Sequence, residues 1–376
     1  MKINHMNETM YDEGEDKRMD AITEVAGTPY EQGVEQGEKL HDDIVFNVKT
    51  VQDYMDKNVK KLAVYQEFVH KNEAFMLKFH PDLVEEMKGI AKGSGMSYES
   101  ILWINIPAYF MTDRLNQECS MIMARGKATA DGCTYLIKNR DMSLLIKQAV
   151  ISRTYPDGSH IVELNGAGVV TYPGNGFNDS GLAVATTGFW SKKAPAHMED
   201  VGASHIFVNI HLLLANCKTV WDVAEYLKTS PRMNGLNMIA VDKTDAIAIE
   251  TTRDSMVIEK DTGDGLLFRT NHYISEELKH LNPDPGEYVS TFKRYGRIAE
   301  ITKERYGKIR FQDMFRILSD HKNGTNCICR HPSEAAKAKT VSSSLVVLDD
   351  LEMWTSLDNP CMSLRFAGIQ GDGETK

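Results

Sequence analysis

The sequence holds 376 residues, 42% hydrophobic and 26% charged, which suits a soluble globular protein of one large domain or two ordinary ones. Its formal net charge of −10, with no basic tract to offset it, argues against a nucleic-acid binder. No apolar run approaches a membrane span, residues 1–10 lack an apolar signal core, and six scattered cysteines lack the density of a disulfide scaffold. The expectation is a cytoplasmic protein with reduced thiols and no membrane partner.

Residues 1–18 are polar and acidic and are expected to be disordered. Residues 19–118 read as mostly helical. A long helical region runs from about Glu38 to His80, with Val45, Val48, Val51, Tyr54 and Met55 at helical spacing; Pro81 punctuates it. Leu83 to Gly93 is a second helix, stopped by glycines, and Tyr98 to Asn105 a third. Composition changes abruptly at Cys119. Strands are expected at 149–155, 160–164, 169–172 and 182–187, with a loop over 174–181. Two helices follow at about 204–216 and 219–229. Strands return at 238–241, 246–250 and 266–271, a helical stretch covers 290–320, and strands at 343–348 and 353–356 close the chain. Such an order is α+β, with antiparallel hairpins in layers.

Residues 117–142 read as a single β-hairpin around Asp131-Gly132, a dipeptide suited to a tight turn. If Ala130 pairs with Cys133, Cys119 lies opposite residue 144 and close to Asp141. The hairpin then brings a cysteine at the start of one strand near a carboxylate at the end of the next. Cys119 is either a buried small hydrophobe or a nucleophile, and the second role needs a base. A cut before Cys119 would supply one, because the new α-amine has a pKa near ~8. Cys133 is the rival nucleophile, but it adjoins the turn, at the far end of the hairpin from Asp141. Cys327-Ile328-Cys329-Arg330-His331 has metal-ligand residue types, yet its spacing fits no standard zinc pattern and no second half is evident. Strand alternation would turn both cysteines to one side as core, and no metal is expected. His160, His205 and His211 read as structural histidines.

Several short motifs carry a resemblance. They are Gly27-Thr28-Pro29-Tyr30-Glu31-Gln32-Gly33, Glu86-Met87-Lys88-Gly89-Ile90-Ala91-Lys92-Gly93-Ser94-Gly95, and the Cys119 hairpin ending Asn139-Arg140-Asp141. Phe177-Asn178-Asp179-Ser180-Gly181-Leu182, Arg269-Thr270-Asn271-His272 and Cys329-Arg330-His331-Pro332 complete the set. In this order the sequence resembles the acyl-coenzyme A:6-aminopenicillanic acid acyltransferase family and, more distantly, the choloylglycine hydrolases. The resemblance implies an αββα N-terminal-nucleophile fold, with stacked antiparallel sheets between helical layers. It also implies a zymogen that cuts itself between Glu118 and Cys119. Segment 19–118 would then be one chain and catalytic segment 119–376 the other, the two remaining associated.

Carried over, Cys119 is nucleophile and, through its α-amine, base. Asp141 holds that amine, and Asn271 donates to the oxyanion, a role Asn178 would share. Lys138 and Ser343 are substrate-proximal. Two positions depart from the family pattern: Glu118 stands where glycine is often found, and Lys138 where the choloylglycine relatives often have arginine. The implied function is hydrolysis of a small N-acyl amide through an acyl-cysteine, without a cofactor. The alternatives are an acyltransferase using acyl-CoA as co-substrate and an unprocessed small-molecule-binding protein. A homo-oligomer is compatible with all three.

Overall fold

The computed structural model describes residues 22–59, 62–106, 118–171, 174–192, 210–230, 232, 235–334 and 337–362, and the backbone of 365–366. The readings for residues 1–18, Tyr172 and 204–209 lie outside the described residues. A first strand, β1 (Ile22–Ala26), leads into helices α1 (Pro29–Lys39), α2 (His41–Asn58), α3 (Leu62–Phe79), α4 (Pro81–Ser94) and α5 (Tyr98–Asn105). The expected single helix from Glu38 to His80 is therefore two, with a further one before it. Leu40 breaks the first junction with non-helical backbone, and α2 ends at Val59 in extended conformation.

Two of the glycine motifs explain themselves in α1 and α4. Thr28 caps α1 in a reciprocal box with Glu31, and Pro29 occupies the first turn, where its missing N–H costs nothing. A Cβ placed on Gly33 would come within 2.2 Å of the Glu86 carbonyl oxygen, and one on Gly93 within 2.1 Å of that of Val34. The two backbones touch there, so only glycine fits.

The strands form two sheets. The eight-stranded sheet runs β1-β4-β5-β6-β7-β8-β9-β10, with β4 (Gln148–Thr154), β5 (His160–Gly166), β6 (Asn175–Asn178), β7 (Ala183–Phe189), β8 (Gly235–Val241), β9 (Ala246–Thr251) and β10 (Met256–Lys260). The six-stranded sheet runs β11-β2-β3-β12-β13-β14, with β2 (Glu118–Ala124), β3 (Tyr135–Met142), β11 (Leu266–Arg269), β12 (Lys339–Val347), β13 (Glu352–Ser356) and β14 (Arg365–Phe366). Neighbouring strands are antiparallel, except that β1 runs parallel to β4. Through β1 the N-terminal segment contributes a strand to the larger sheet. Asn175–Asn178 is strand where a loop was expected, and Val169–Thr171 is not strand.

Alternation along the strands sorts the core into layers. Met121, Met123, Leu136 and Val346 pack against Val162, Phe177, Ile239 and Ala248 between the sheets. On the outer face of the larger sheet, Val184, Met238 and Ile249 meet α6 (Ile210–Asn216) and α7 (Val220–Thr229) through Leu213, Val223 and Leu227. On the outer face of the smaller, Ile122, Ile137 and Leu345 meet α8 (Val289–Arg305) and α9 (Phe311–Leu318) through Ile298, Met314 and Ile317. The order is helix, sheet, sheet, helix. The expected αββα architecture is what the chain forms. Among the described residues no helix is long and apolar enough to cross a membrane.

The hairpin register differs from expectation. Ala124 pairs with Tyr135 and Cys119 with Arg140, because residues 125–134 form a loop with a short 3-10 turn at Gly126–Ala128. The Asp131-Gly132 turn lies inside that loop, Gly132 at φ +79°, and does not itself join the strands. Asp141 consequently stands opposite Glu118, one position before the cysteine.

Candidate active site

Cys119 is the second residue of β2 and is 5% exposed. Paired residues of adjacent strands share a face. Cys119, Arg140 and Ser342 therefore lie on the inter-sheet face, as do Met121, Lys138 and Ser344. Glu118 and Asp141 lie on the opposite face, toward the helices. The antiparallel pairing of β11 with β2 ends at Arg269–Met121. Continued two residues, that register sets Asn271 against Cys119. The backbone nitrogen of Cys119 donates to Asn271 Oδ1 at 2.8 Å, while Asn271 Nδ2 donates to the Gly188 carbonyl at 2.7 Å.

One side chain knits this end of the hairpin together: Arg294, fully buried in α8. Its Nη1 donates to the Cys119 carbonyl and to Ser120 Oγ, its Nη2 to Glu118 Oε2 and Asn271 Oδ1, and its Nε to Ser290 Oγ. A guanidinium has five N–H donors, and here five acceptors meet them. Without such a set, burying this charge would cost several kcal/mol. The sequence reading missed Arg294. The signal was a polar interruption, Ser290, Thr291 and Arg294, on the face of α8 that carries Ile298 inward.

Glu118 is held by Ser290 Oγ, by Arg294, and by an ion pair with Arg330 Nη1 at 2.5 Å. Burial alone would raise its carboxyl, but the two arginines and Ser290 outweigh burial and leave it below the usual carboxylate range. Among the described residues only Asn323 and Leu351 combine a side chain with positive φ, so Glu118 is unstrained strand. The backbone asks for no glycine there.

Asp141 Oδ1 accepts from Thr340 Oγ1 at 2.6 Å. Its Oδ2 is buried and has no hydrogen-bond partner among the described residues. Burial pushes this carboxyl up to about 6 against the pull of Arg294 and Arg330. Burial likewise raises the Cys119 thiol; Lys138 is the strongest opposing charge, followed by Arg140 and Arg294, while Asp141 raises it further. Lys138 donates from Nζ to the Gly174 carbonyl at 2.9 Å, and desolvation lowers it to about 8.

The other expected residues sit elsewhere. Asn178 sends Nδ2 to the Leu214 and Cys217 carbonyls and receives the Leu182 N–H on Oδ1, so it fastens α6 to β6. It lines a surface cavity of about 550 Å³ with His160, Asp179 and Lys218, and Cys119 is not in that lining. Ser343 donates to Asn139 Oδ1 at 2.6 Å on the helix-facing side. On the face that carries Lys138 stand Ser344 and, reaching it from β6, Asn175. Asn175 Nδ2 donates to Ser344 Oγ at 2.5 Å, and Ser344 pairs with Lys138. A bulge between Thr340 and Ser342 shifts the serine run by one, which no sequence spacing announces.

The four-layer αββα chain thus places a cysteine at the start of an inner strand, its backbone nitrogen held by an asparagine side chain and a buried carboxylate one position away. Residues 128–361 match the model of the acyl-coenzyme A:6-aminopenicillanic acid acyl-transferase family, and the chain belongs to that family. The matched span includes Asp141, Asn271 and Arg294 and begins after Cys119. No curated protein matches the sequence. Among solved structures, a mutant of the conjugated bile acid hydrolase from Clostridium perfringens is similar at 15% identity and TM-score 0.45, covering 67% of this chain and 92% of that one. A second variant of that hydrolase gives 15% identity and TM-score 0.44 over 67% and 97%. Penicillin V acylase from Agrobacterium tumefaciens gives 14% and 0.43 over 64% and 83%.

Proposed function

We propose that the protein is an amidohydrolase whose nucleophile is the Cys119 thiolate, activated by a cut between Glu118 and Cys119. One observation carries the reading: the Cys119 nitrogen is fixed by Asn271 beside a buried Asp141 whose Oδ2 lacks a partner among the described residues. A buried carboxylate oxygen without a donor costs on the order of 1–3 kcal/mol or more. An α-ammonium at Cys119 would supply the missing donor and charge. In the cut itself, the Cys119 sulfur attacks the Glu118 carbonyl carbon and the C–N bond breaks, leaving a thioester and a free amine. Water then hydrolyses the thioester to the Glu118 carboxylate and the thiol.

In the mature chain the α-amine takes the thiol proton as sulfur adds to the substrate carbonyl. We assign Asn271 Nδ2 to the developing oxyanion, where one donor is worth ~2.7–4 kcal/mol. Collapse delivers the proton to the leaving amine and leaves acyl-Cys119. Water attack, with the α-amine again taking the proton, releases the acid. An amine in place of water would make the protein an acyltransferase, with acyl-CoA as a candidate donor. Lys138, Arg140, Ser344 and Asn175 present a polar, cationic wall on the Cys119 face, which suits a carbonyl or carboxylate in the substrate.

The test is a panel of small N-acyl amides with and without a competing amine, followed by peptide mass analysis. Acyl-Cys119 and free acid are expected. An adduct at Cys133, or turnover that survives Cys119→Ala, would refute the assignment, and acyl transfer dominating over hydrolysis would reverse the hydrolase reading.

A further inference from the structure

Away from Cys119 the fold gathers four side chains that no step above uses. His321 follows α9, Cys329 and His331 lie in the irregular segment before β12, and Cys361 follows β13. One ligand atom from each lies within 4.8 Å of all the others. Cys327 and Cys329 are not on a strand, as the sequence reading had them; Cys327 Sγ donates to the Cys329 carbonyl and stays out of the group.

The three separations that meet at His331 Nε2 fit one geometry. His321 Nε2 is 3.2 Å from His331 Nε2, Cys361 Sγ is 3.3 Å from it, and Cys329 Sγ is 3.8 Å from it. A tetrahedral zinc ion holds nitrogen at ~2.0–2.1 Å and sulfur at ~2.3 Å, so nitrogens stand about 3.3 Å apart and nitrogen and sulfur about 3.5–3.6 Å apart. All three distances agree within about 0.3 Å. Hydrogen bonding does not account for them. An imidazole nitrogen offers either one N–H or one lone pair, yet three polar atoms converge on His331 Nε2. A bound cation removes the conflict, since every converging atom then turns its lone pair to the same point.

The surroundings also suit an ion. Asn359 Nδ2 points at Cys329 Sγ from 3.5 Å and donates to the Arg330 carbonyl at 2.7 Å. Amide donors to a ligating sulfur orient it and stabilise its charge. The Cys329 N–H donates to the Asp320 carbonyl, which fixes that residue next to His321.

We propose that His321, Cys329, His331 and Cys361 bind one zinc ion per chain. Two thiolates and two imidazoles in a tetrahedron are a zinc set, and four protein ligands leave no open position for substrate. The ion therefore has a structural role. It clamps the segment around Cys361 to the loop that carries Arg330, and Arg330 reaches Glu118 at 2.5 Å. The zinc site thus positions a charge at the residue before Cys119 without touching the chemistry. It stands whether or not the chain is cut.

The test is elemental analysis of the full-length protein after zinc loading and gel filtration, with cobalt replacing zinc in a second sample. About one zinc per chain is expected, along with the intense visible absorption of a tetrahedral cobalt site with sulfur ligands. Cys361→Ser and His321→Ala should each weaken binding at least tenfold, while Cys327→Ser keeps it. Wild-type protein that binds no zinc, retention in both ligand variants, or a Cys329–Cys361 disulfide in reduced and zinc-loaded protein would overturn the proposal. Should a ligand variant fail to fold, chelation and reloading of the wild type, followed by the cobalt spectrum, decides alone.

Discussion

The hairpin of β2 and β3 carries a cysteine at each end, and the two meet opposite electrostatic fields. Around Cys119 stand Lys138, Arg140 and Arg294, which favour its thiolate against burial and the Asp141 carboxylate. Around Cys133 the charges are Asp131, Asp349 and Asp350; with burial, which contributes most, they push its thiol up to about 11. Cys133 also sits in a turn whose side chains are occupied with one another. Asp131 accepts from the Cys133 backbone N–H and from the Tyr135 hydroxyl. Both thiols are buried, and burial opposes ionisation at both. The difference lies in what burial is set against: three cations, one carboxylate (Asp141) and a held backbone nitrogen at one end, carboxylates alone at the other. A cysteine is made reactive by its neighbours, and these neighbours come from β3 and α8, far apart in sequence.

The comparison is broken most severely at the nucleophile. Cys119→Ala should abolish turnover, a loss of about 1,000-fold or more, whereas Cys133→Ala should change it less than about twofold. Asn271→Ala comes next. Loss of one oxyanion donor predicts a kcat about 100- to 1,000-fold lower, read in steady-state kinetics with the KM nearly unchanged. Lys138→Met removes the charge that most favours the Cys119 thiolate. The pH midpoint of Cys119 alkylation should therefore move up, by roughly one unit, while that of Cys133 stays where it is.

Asp141 sharpens the comparison through stability. Its carboxyl is raised from 3.8 to about 6 in the uncut chain. The native state then binds the proton more tightly than the unfolded state, so stability falls as pH rises from about 4 to 6 and stays lower above it. In a Cys119→Ala chain, which keeps the peptide bond, Asp141→Asn should raise the Tm by a few degrees at pH 7.5 and leave it nearly unchanged at pH 4. In the cut chain the new ammonium reverses the sign, and the same substitution should lower the Tm. A lower Tm in both forms would remove Asp141 from this role.

The sequence revealed the layers better than the site. The strands read at 182–187 and 246–250 and the helix read at Tyr98 to Asn105 rest on local signals, and the structure places β7, β9 and α5 close to where they were read. β1 is short and finds its partner β4 beyond five helices, a pairing no local pattern reports. At the candidate site, Cys119, Asp141 and Asn271 stand in or beside family motifs, and the structure brings the three together. The hairpin register was misread because Asp131-Gly132 advertises a tight turn inside a longer loop. Asn178 and Ser343 were read as near Cys119, and the structure turns Asn178 to α6 and Ser343 to the helix-facing side. In β6 and β12 a shift of one or three residues turns a side chain to the opposite face. Arg294 was overlooked, since a helix-borne arginine usually marks a solvated face; Arg330 was read only as part of a motif, and packing against β2 makes both of them buried partners of Glu118.

The most direct measurement is the intact mass of the purified protein beside Cys119→Ala. The account predicts two fragments from the wild type, parting between Glu118 and Cys119, and one 42.3 kDa chain from the variant. A wild type that stays a single 42.3 kDa chain after long incubation would contradict it. The α-amine that is meant to fill the open side of Asp141 would not exist, and an unprocessed small-molecule-binding protein would be the better description.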